Sequence, residues 1–466
     1  MRHYSIHKIG QNRNAPRLWL QGRQPAQAGF QPGFRFKVEL PKESSRETML
    51  VLRLDPVGTH TVSRKIVGER EVPLVDINSK ELLGIFEGYE QVRVVASANA
   101  IYILPVATDK RVRERVSRLE RKLRAGEPLT VGSLSHGGGV LSFALHEGMA
   151  EAGITTKLSF ANDIRPELLE HAAAVNPAWS PETIAIAAPM QELAMSDTWA
   201  MKQLPTVEIL EAGIPCEGAS LSGRAKNGTD CAEAHADVGH LVVSFLAVIS
   251  QVSPISIVLE NVEPYQNTAS MWLIRHSLRD LGYDVHETVL DGAEWNALEH
   301  RRRMCMVAVT RGVSFSMDDI VKPVKVERTL GEILEPIALD DPMWREMDYL
   351  KEKAVRDKAA GKGFALQILT PESKKVGTIG KGYQKNRSTE PKIQHGVNPE
   401  LLRLLTPVEA ARVKDIPEML IKGLGATIAH EVLGQSILFK PFLAVGKAIA
   451  QAFQRWFELR SQPLAA

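Results

Sequence analysis

Three short stretches of this chain carry side chains that could do covalent chemistry together. Gly213-Ile214-Pro215-Cys216 ends an apolar run and opens into the polar, glycine-containing segment Leu221-Ser222-Gly223-Arg224-Ala225-Lys226-Asn227-Gly228. Leu259-Glu260-Asn261-Val262 puts a carboxyl at the end of a second apolar run, and Glu299-His300-Arg301-Arg302-Arg303 supplies guanidinium donors. A lone cysteine is more often a small buried hydrophobe than a nucleophile. Here its company points the other way: a thiol that can add to an electrophilic carbon, an acid that can move a proton, and cations that can face the charge that develops.

These residues need elements to hold them. Leu129-Thr130-Val131-Gly132-Ser133-Leu134 reads as a buried strand, Ser135-His136-Gly137-Gly138-Gly139 as a tight turn, and Val140 to Ala152 as a helix. A glycine turn between strand and helix lets a cofactor approach the backbone and the helix N-terminus. One unit on, Lys157 to Asp163 puts a carboxylate at a strand end, where it could hold ribose hydroxyls or cap the next helix. Runs at Val207 to Ile214 and Ile255 to Leu259 alternate with helical patterns around Val238 to Ser250 and Met271 to Leu281. That alternation predicts a mostly parallel α/β sheet with its ligands at the carboxyl ends of the strands, where Cys216 and Glu260 fall.

Composition bounds the rest. A chain of 466 residues with a formal charge of +2 has room for two to four domains and no global signature of a nucleic-acid binder. Cys216, Cys231 and Cys305 show no CxxC spacing, so neither a disulfide framework nor a metal is expected. The N-terminus has no secretory signal and no apolar run is long enough to span a bilayer, so a cytoplasmic protein with no membrane partner is expected, as a monomer.

Residues 1–108 read as a mostly-β domain with a weak internal duplication. Arg17–Leu20, a turn at Ala28–Gly33, Phe34–Leu40 and Leu50–Leu54 are echoed by Leu74–Ile77, Leu82–Gly88, Val92–Val95 and Ile101–Pro105. This pattern resembles the swapped-hairpin modules of AbrB-like regulators, which implies DNA binding. Residues 109–127 carry apolar positions at Val112, Val116, Leu119 and Leu123 and are expected to be a helical linker.

From about residue 129 to 452 the chain resembles the C5-cytosine-specific DNA methyltransferases. The matching features are Pro215-Cys216, Glu260-Asn261-Val262, Arg301 with Arg303, Leu405-Thr406-Pro407-Val408-Glu409-Ala410-Ala411-Arg412, and Gly434-Gln435-Ser436. The resemblance implies a Rossmann-like S-adenosylmethionine-dependent methyltransferase sheet at 128–311, a target-recognition region at 312–402 and a C-terminal part at 403–466 completing the catalytic domain. It implies that Cys216 attacks cytosine C6, that Glu260 engages N3 and the exocyclic amine, and that Arg303, with Arg301 behind it, faces the base carbonyl and the catalytic loop. Gly137, Gly138, Gly139, Asp163, Ile164 and Ser436 would contact S-adenosylmethionine. Double-stranded DNA would meet Ser220, Ser222 and Arg224 on the loop, and Lys374, Lys375, Lys381, Lys385 and Arg387 in the basic segment. The chemistry is coherent, because thiolate addition at C6 makes C5 nucleophilic enough to take a methyl group from a sulfonium, and the base must leave the duplex to be reached.

Several residues depart from the family pattern. Glu217 and Glu299 stand where glutamines are usual, which suggests two extra carboxyls near the DNA face; Leu134 and His136 replace an aromatic and the first glycine of the turn; an acidic residue expected near Ala188-Pro189-Met190 is missing; and Gln435 replaces an asparagine. Two other functions therefore stand beside DNA cytosine-5 methylation, including a role in restriction-modification. They are methylation of transfer RNA by the same pocket, and a DNA-binding regulator built on a catalytically weakened domain.

Overall fold

The computed structural model describes residues 1–40, 48–196, 198–215, 231–235, 238–361 and 366–461. The chain forms two compact units, Met1–Glu114 and Arg115–Ala466.

The first unit is built from two β-α-β-β copies. One is β3 (Ala15–Gln21), α1 (Arg23–Gln27), β4 (Arg35–Glu39) and β5 (Leu50–Leu54), and the other is β8 (Arg70–Asn78), α2 (Lys80–Leu83), β9 (Gln91–Ser97) and β10 (Ala100–Pro105). Short strands β1 (His3–Lys8), β2 (Gly10–Asn12), β6 (His60–Thr61) and β7 (Ser63–Val67) complete two sheets, ordered β1-β9-β10-β5-β4-β6 and β2-β3-β8-β7. The copies meet twice: β3 pairs antiparallel with β8 from Arg17 opposite Asn78, and β10 pairs antiparallel with β5 from Ala100 opposite Arg53. Alternate residues explain the shared core, since Leu18, Leu20, Val75, Ile77, Leu50, Leu52, Ile101 and Ile103 are all buried around Phe30, Phe36 and Phe86.

Helix α3 runs Ala107–Ala125, and the division between units falls inside it. The expected linker segment is helical, and its second half has partners in the second unit. From Arg115 onward the helix belongs to the second unit, where Arg115 donates to the Leu281 carbonyl at 2.7 Å. Arg118 and Lys122 reach the buried carboxylate of Glu208 at 2.8 and 2.6 Å. Amphipathic spacing identified the helix, but it could not show that the polar side also had buried partners.

The second unit centres on a seven-stranded sheet ordered β13-β12-β11-β14-β15-β17-β16. Its elements are β11 (Leu129–Leu134), α4 (Val140–Glu151), β12 (Thr156–Asp163), α5 (Pro166–Val175), β13 (Ile184–Ala187), α6 (Thr198–Gln203), β14 (Ile209–Gly213), α7 (Leu241–Val252), β15 (Ser256–Val262), α8 (Ala269–Asp280), β16 (Tyr283–Asp291) and β17 (Arg302–Thr310). The strands from β13 to β15 are parallel, and β17 runs antiparallel to both neighbours. Successive residues face opposite layers: Val131, Leu158, Ile209 and Val258 join one core, and Leu134, Phe160, Leu210 and Leu259 the other. This is the Rossmann-like, mostly parallel sheet expected from the sequence.

Beyond it, β18 (Arg345–Glu346), α9 (Asp348–Ala359), β19 (Gln367–Leu369), β20 (Pro391–Gln394) and β21 (Leu401–Arg403) make a small sheet ordered β18-β21-β20-β19. The chain then returns through α10 (Pro407–Val413), α11 (Ala426–Gln435) and α12 (Phe439–Ser461). The stretch Leu405-Thr406-Pro407-Val408-Glu409 is a helix start: Thr406 and Glu409 form a reciprocal capping box, with Pro407 at the first helical position. Buried Glu409 also takes two bonds from Arg403, at 2.7 and 2.8 Å. Helix α12 packs on α4 at a crossing that requires glycine, because a side chain on Gly148 would collide with the Leu443 carbonyl. No single helix among the described residues is long and apolar enough to cross a membrane.

Candidate active site

Parallel strands bring the chemical residues to one edge. Gly213 and Glu260 are register partners on β14 and β15, and a side chain on Gly213 would lie 3.6 Å from Glu260 Oε2. Buried Asn261 donates its amide to the Ile214 carbonyl at 3.0 Å, fixing the backbone that leads into Pro215. Cys216 comes next; it lies outside the described residues, as do Glu217, Ser220, Ser222 and Arg224. On the antiparallel neighbour, Val262 faces Arg303, whose Nε is 2.9 Å from Glu260 Oε1. Burial raises the Glu260 carboxyl above its usual range, although Arg303 and Arg301 pull it the other way. A carboxyl raised in this way keeps its proton more readily than a solvated one and can share it with a ring nitrogen. Cys305 sits on β17 opposite Glu260, fully buried, with its thiol pushed up by burial and by that carboxylate, which leaves it inert.

Arg301 is buried, and the structure ties it to backbone. Its Nη2 donates to the Gly434 carbonyl at 3.0 Å and its Nη1 to the Ile379 carbonyl at 3.3 Å. The expectation that Glu299 lies near the DNA face is corrected, for its side chain is wholly buried. One carboxylate oxygen accepts the Lys414 ammonium and the other the Ile379 N–H at 2.8 Å, with Arg301 3.5 Å away. Burial opposes the charged form, but Lys414 and Arg301 outweigh it, so Glu299 stays below the usual carboxylate range. Sequence reading missed Lys414, which follows the recognisable helix start and looks there like any surface lysine.

At the glycine turn, Ser135, Gly137 and Gly139 have φ of 55°, 55° and 74°. Nothing lies within 4 Å of where a Gly137 side chain would be, so the backbone there is open to a ligand. Asp163 stands beside it: Oδ2 accepts the Gly137 N–H at 2.7 Å, and Oδ1 accepts the Arg165 N–H at 3.0 Å before α5. Asp163 therefore holds the turn and the backbone ahead of α5 without capping that helix, whose N-cap Arg165 has no side-chain cap bond, and its carboxylate oxygens have lone pairs left for hydroxyl donors. Neighbouring Ile164 is 65% exposed, an apolar surface next to that carboxylate. His136 does not fill the cradle. Its ring is buried beneath the turn, accepting Trp179 Nε1–H at 3.0 Å and bonding Ser133 Oγ at 2.7 Å, and burial lowers it to about 3, so it is neutral. Helix α11 closes the turn, with Val432 2.6 Å from where a Gly138 side chain would be, and Ser436 caps that helix by donating to the Val432 carbonyl at 2.7 Å. These residues fit a nucleoside bearing a ribose diol.

The basic segment alternates anchors with cations. Val376, Ile379 and Tyr383 are buried, whereas Lys374, Lys375, Lys381, Lys385 and Arg387 are exposed. Two of the cations meet local acids: Lys374 reaches Glu327 at 2.7 Å and Lys381 reaches Glu431 at 3.7 Å.

A glycine turn open at Gly137 and a carboxyl held by arginine both stand at the carboxyl ends of the parallel strands. The family model of C-5 cytosine-specific DNA methylases matches residues 146–451, and the chain belongs to that family. Its members use S-adenosylmethionine as methyl donor. Over 264 residues the chain is 26% identical to Type II methyltransferase M1.ScrFI of Lactococcus lactis subsp. cremoris, covering 54% of this chain and 65% of that one. Over 258 residues it is 27% identical to Type II methyltransferase M.SsoII of Shigella sonnei, covering 53% and 65%. The match thus spans 65% of the length of these two relatives. The fold is shared with the S. pombe Dnmt2 methyltransferase, at a TM-score of 0.52 and 18% identity over 70% of this chain and 99% of that one.

Proposed function

We propose that this chain is a DNA (cytosine-5)-methyltransferase acting on a cytosine flipped out of duplex DNA, as part of or descended from a restriction-modification system. The observation that carries the reading is Glu260, held by Arg303 at 2.9 Å beside the strand end that leads through Pro215 to Cys216. Cys216 is the proposed nucleophile at C6. Glu260 holds the proton that offsets charge pushed into the ring at N3, and Arg303 orients both Glu260 and the base carbonyl. Gly137, Gly138, Gly139, Asp163, Ile164 and Ser436 are proposed to hold S-adenosylmethionine, which supplies an electrophilic methyl group when bound. Lys374, Lys375, Lys381, Lys385 and Arg387 are proposed to neutralise phosphates, with Ser220, Ser222 and Arg224 approaching from the loop.

The test is transfer of a labelled methyl group by the purified protein to DNA and to RNA. DNA should be labelled, and Cys216→Ser should abolish the transfer while the protein stays folded. Full activity in that variant removes the covalent mechanism, and labelling of RNA alone moves the substrate to RNA.

For the first unit we propose weak duplex binding that raises the local concentration of the catalytic unit on DNA. Two features support this. The copies interlock through β3–β8 and β5–β10, as two swapped hairpins within one chain would. The chain's surplus of Lys and Arg also lies in residues 1–114, the remainder having more Asp and Glu than Lys and Arg. A fragment 1–114 should retard duplex DNA in a gel at low salt and lose it as salt rises. Absence of retardation at low salt rejects DNA binding by this unit.

A further inference from the structure

Glu299 is a fully buried carboxylate in the strand-entry segment that carries the active-site arginines, and it holds two things at once. Lys414, equally buried just after α10, donates to one oxygen. The Ile379 N–H donates to the other at 2.8 Å, and the Ile379 carbonyl accepts from Arg301 at 3.3 Å. Residue 379 is therefore gripped through both backbone polar groups by the motif that ends in Arg303. The grip has little slack: His300 N–H donates to the Val376 carbonyl at 3.1 Å, Val376 N–H to the Leu298 carbonyl at 2.8 Å, and Arg301 also holds the Gly434 carbonyl at 3.0 Å. Gly434 lies so close to the Gly380 carbonyl that any side chain there would collide with it.

A buried carboxylate without its ammonium would be an uncompensated charge, and so would the ammonium without its carboxylate. Loss of Lys414 would draw Arg301 toward the carboxylate and off the Ile379 and Gly434 carbonyls, and loss of the carboxylate would set the Lys414 ammonium against Arg301 and leave the Ile379 N–H without its acceptor. Arg301 lies just before β17, two residues from Arg303, and both arginines act on the Glu260 carboxyl, while Arg303 alone among the described residues forms an ion pair with it. We propose that Glu299 and Lys414 are a matched pair of positioning residues, which together set Arg301 behind the Arg303–Glu260 contact and fasten the basic segment 374–387 to the catalytic strand. The proposal rests on the DNA methyltransferase reading. It predicts that a phosphate contact at Lys374, Lys375 or Lys381 is felt at the reacting base through residues 376–381, because the anchors of that segment bond the catalytic motif directly.

The experiment compares full-length wild type with Glu299→Gln, Glu299→Asp, Lys414→Gln and the double variant Glu299→Gln/Lys414→Gln. Each is checked for folding by circular dichroism, then measured for steady-state methyl transfer and for hydrogen exchange of the 376–381 backbone by mass spectrometry. Glu299→Asp keeps the charge but withdraws the carboxylate by one methylene, so it serves if the charge-removing variant does not fold. Each folded single variant should lose about 10- to 100-fold in kcat, the scale expected of a small misplacement behind the reacting groups. KM for S-adenosylmethionine should stay unchanged, and exchange at 376–381 should be faster. The neutral pair in the double variant should recover most of both losses, a coupling that two independent structural residues would not give. A folded single variant with wild-type kcat and wild-type exchange overturns the proposal, as does a double variant no better than its worse single. If wild type transfers no methyl group, the function reading fails instead, and unchanged exchange in the variants still overturns the clamp.

Discussion

His136 at the glycine turn and Glu299 in the arginine motif are both buried polar residues, and the fold accommodates them by opposite means. His136 is kept neutral: Trp179 donates to Nε2, the ring proton on Nδ1 goes to Ser133, and burial pushes the imidazole down to about 3. Glu299 is kept charged, with Lys414, Arg301 and the Ile379 N–H around it; burial and Arg301 push the Lys414 ammonium down to about 7, and its contact with Glu299 holds the proton on. A neutral ring needs only partners for its two nitrogens, whereas a buried carboxylate needs a counter-charge as well. A change at His136 thus involves only its local neutral partners, whereas a change at Glu299 leaves the charge of a residue 115 positions away without its partner.

Removing the counter-charge should give the largest effect. Lys414→Met leaves Glu299 buried with Arg301 alone and should cost about 3–5 kcal/mol of stability, read by urea denaturation. A loss under about 1 kcal/mol would mean that the two sites are alike after all. A pH series sharpens the same contrast on a third buried group, Glu211 of β14, which has no basic partner among the described residues and is pushed up to about 8 by burial against the weaker pull of the Ser133 and Ser142 hydroxyls. Its folded value lies above the ordinary value of 4.5, so the folded chain retains a proton that the unfolded chain releases between pH 4.5 and 8. The stabilisation is complete below 4.5, falls by roughly 1.4 kcal/mol per pH unit across that window and is gone above about 8. Glu211→Gln should therefore gain stability relative to wild type at pH 8.5 compared with pH 5, measured as a difference in Tm, and an unchanged difference would contradict the assignment. The smallest effect is expected at the neutral site. Trp179→Phe removes one donor to His136 and should cost about 1–2 kcal/mol, with a few-fold weaker S-adenosylmethionine binding by calorimetry. A cost as large as that of Lys414→Met would erase the distinction between neutral and charged accommodation.

Much of the site was readable because strand ends announce themselves. Ile255 to Leu259 is a run of apolar residues that stops at Glu260, and Val207 to Ile214 stops just before Pro215, so alternating burial in a parallel sheet places both at one edge without reference to a fold. Asp163 was legible only as an alternative, ribose ligand or cap, and the structure gives it two backbone donors, one in the turn and one before α5. Glu299 was read as a surface change because its neighbours His300 and Arg302 are polar, and a local sequence window does not contain Lys414 or Ile379. The helix at Ala107–Ala125 was visible by period, but the burial of Arg115 over the Tyr283 ring, 3.9 Å from its centroid, was not.

The sequence by itself determined what depends on neighbours in the chain. Hydrophobic period fixed the strands and helices, glycines placed the turn, the Thr406–Glu409 spacing started α10, and the order of motifs set the family. Only the tertiary structure decided what depends on desolvation, because the ionisation and partners of a buried group are set by atoms brought together from distant segments. Glu299 and Lys414 are 115 residues apart in sequence yet directly bonded in the interior. Whether such a carboxylate is a solvated surface charge or a clamp on Ile379 and Arg301 is settled by what excludes water from it.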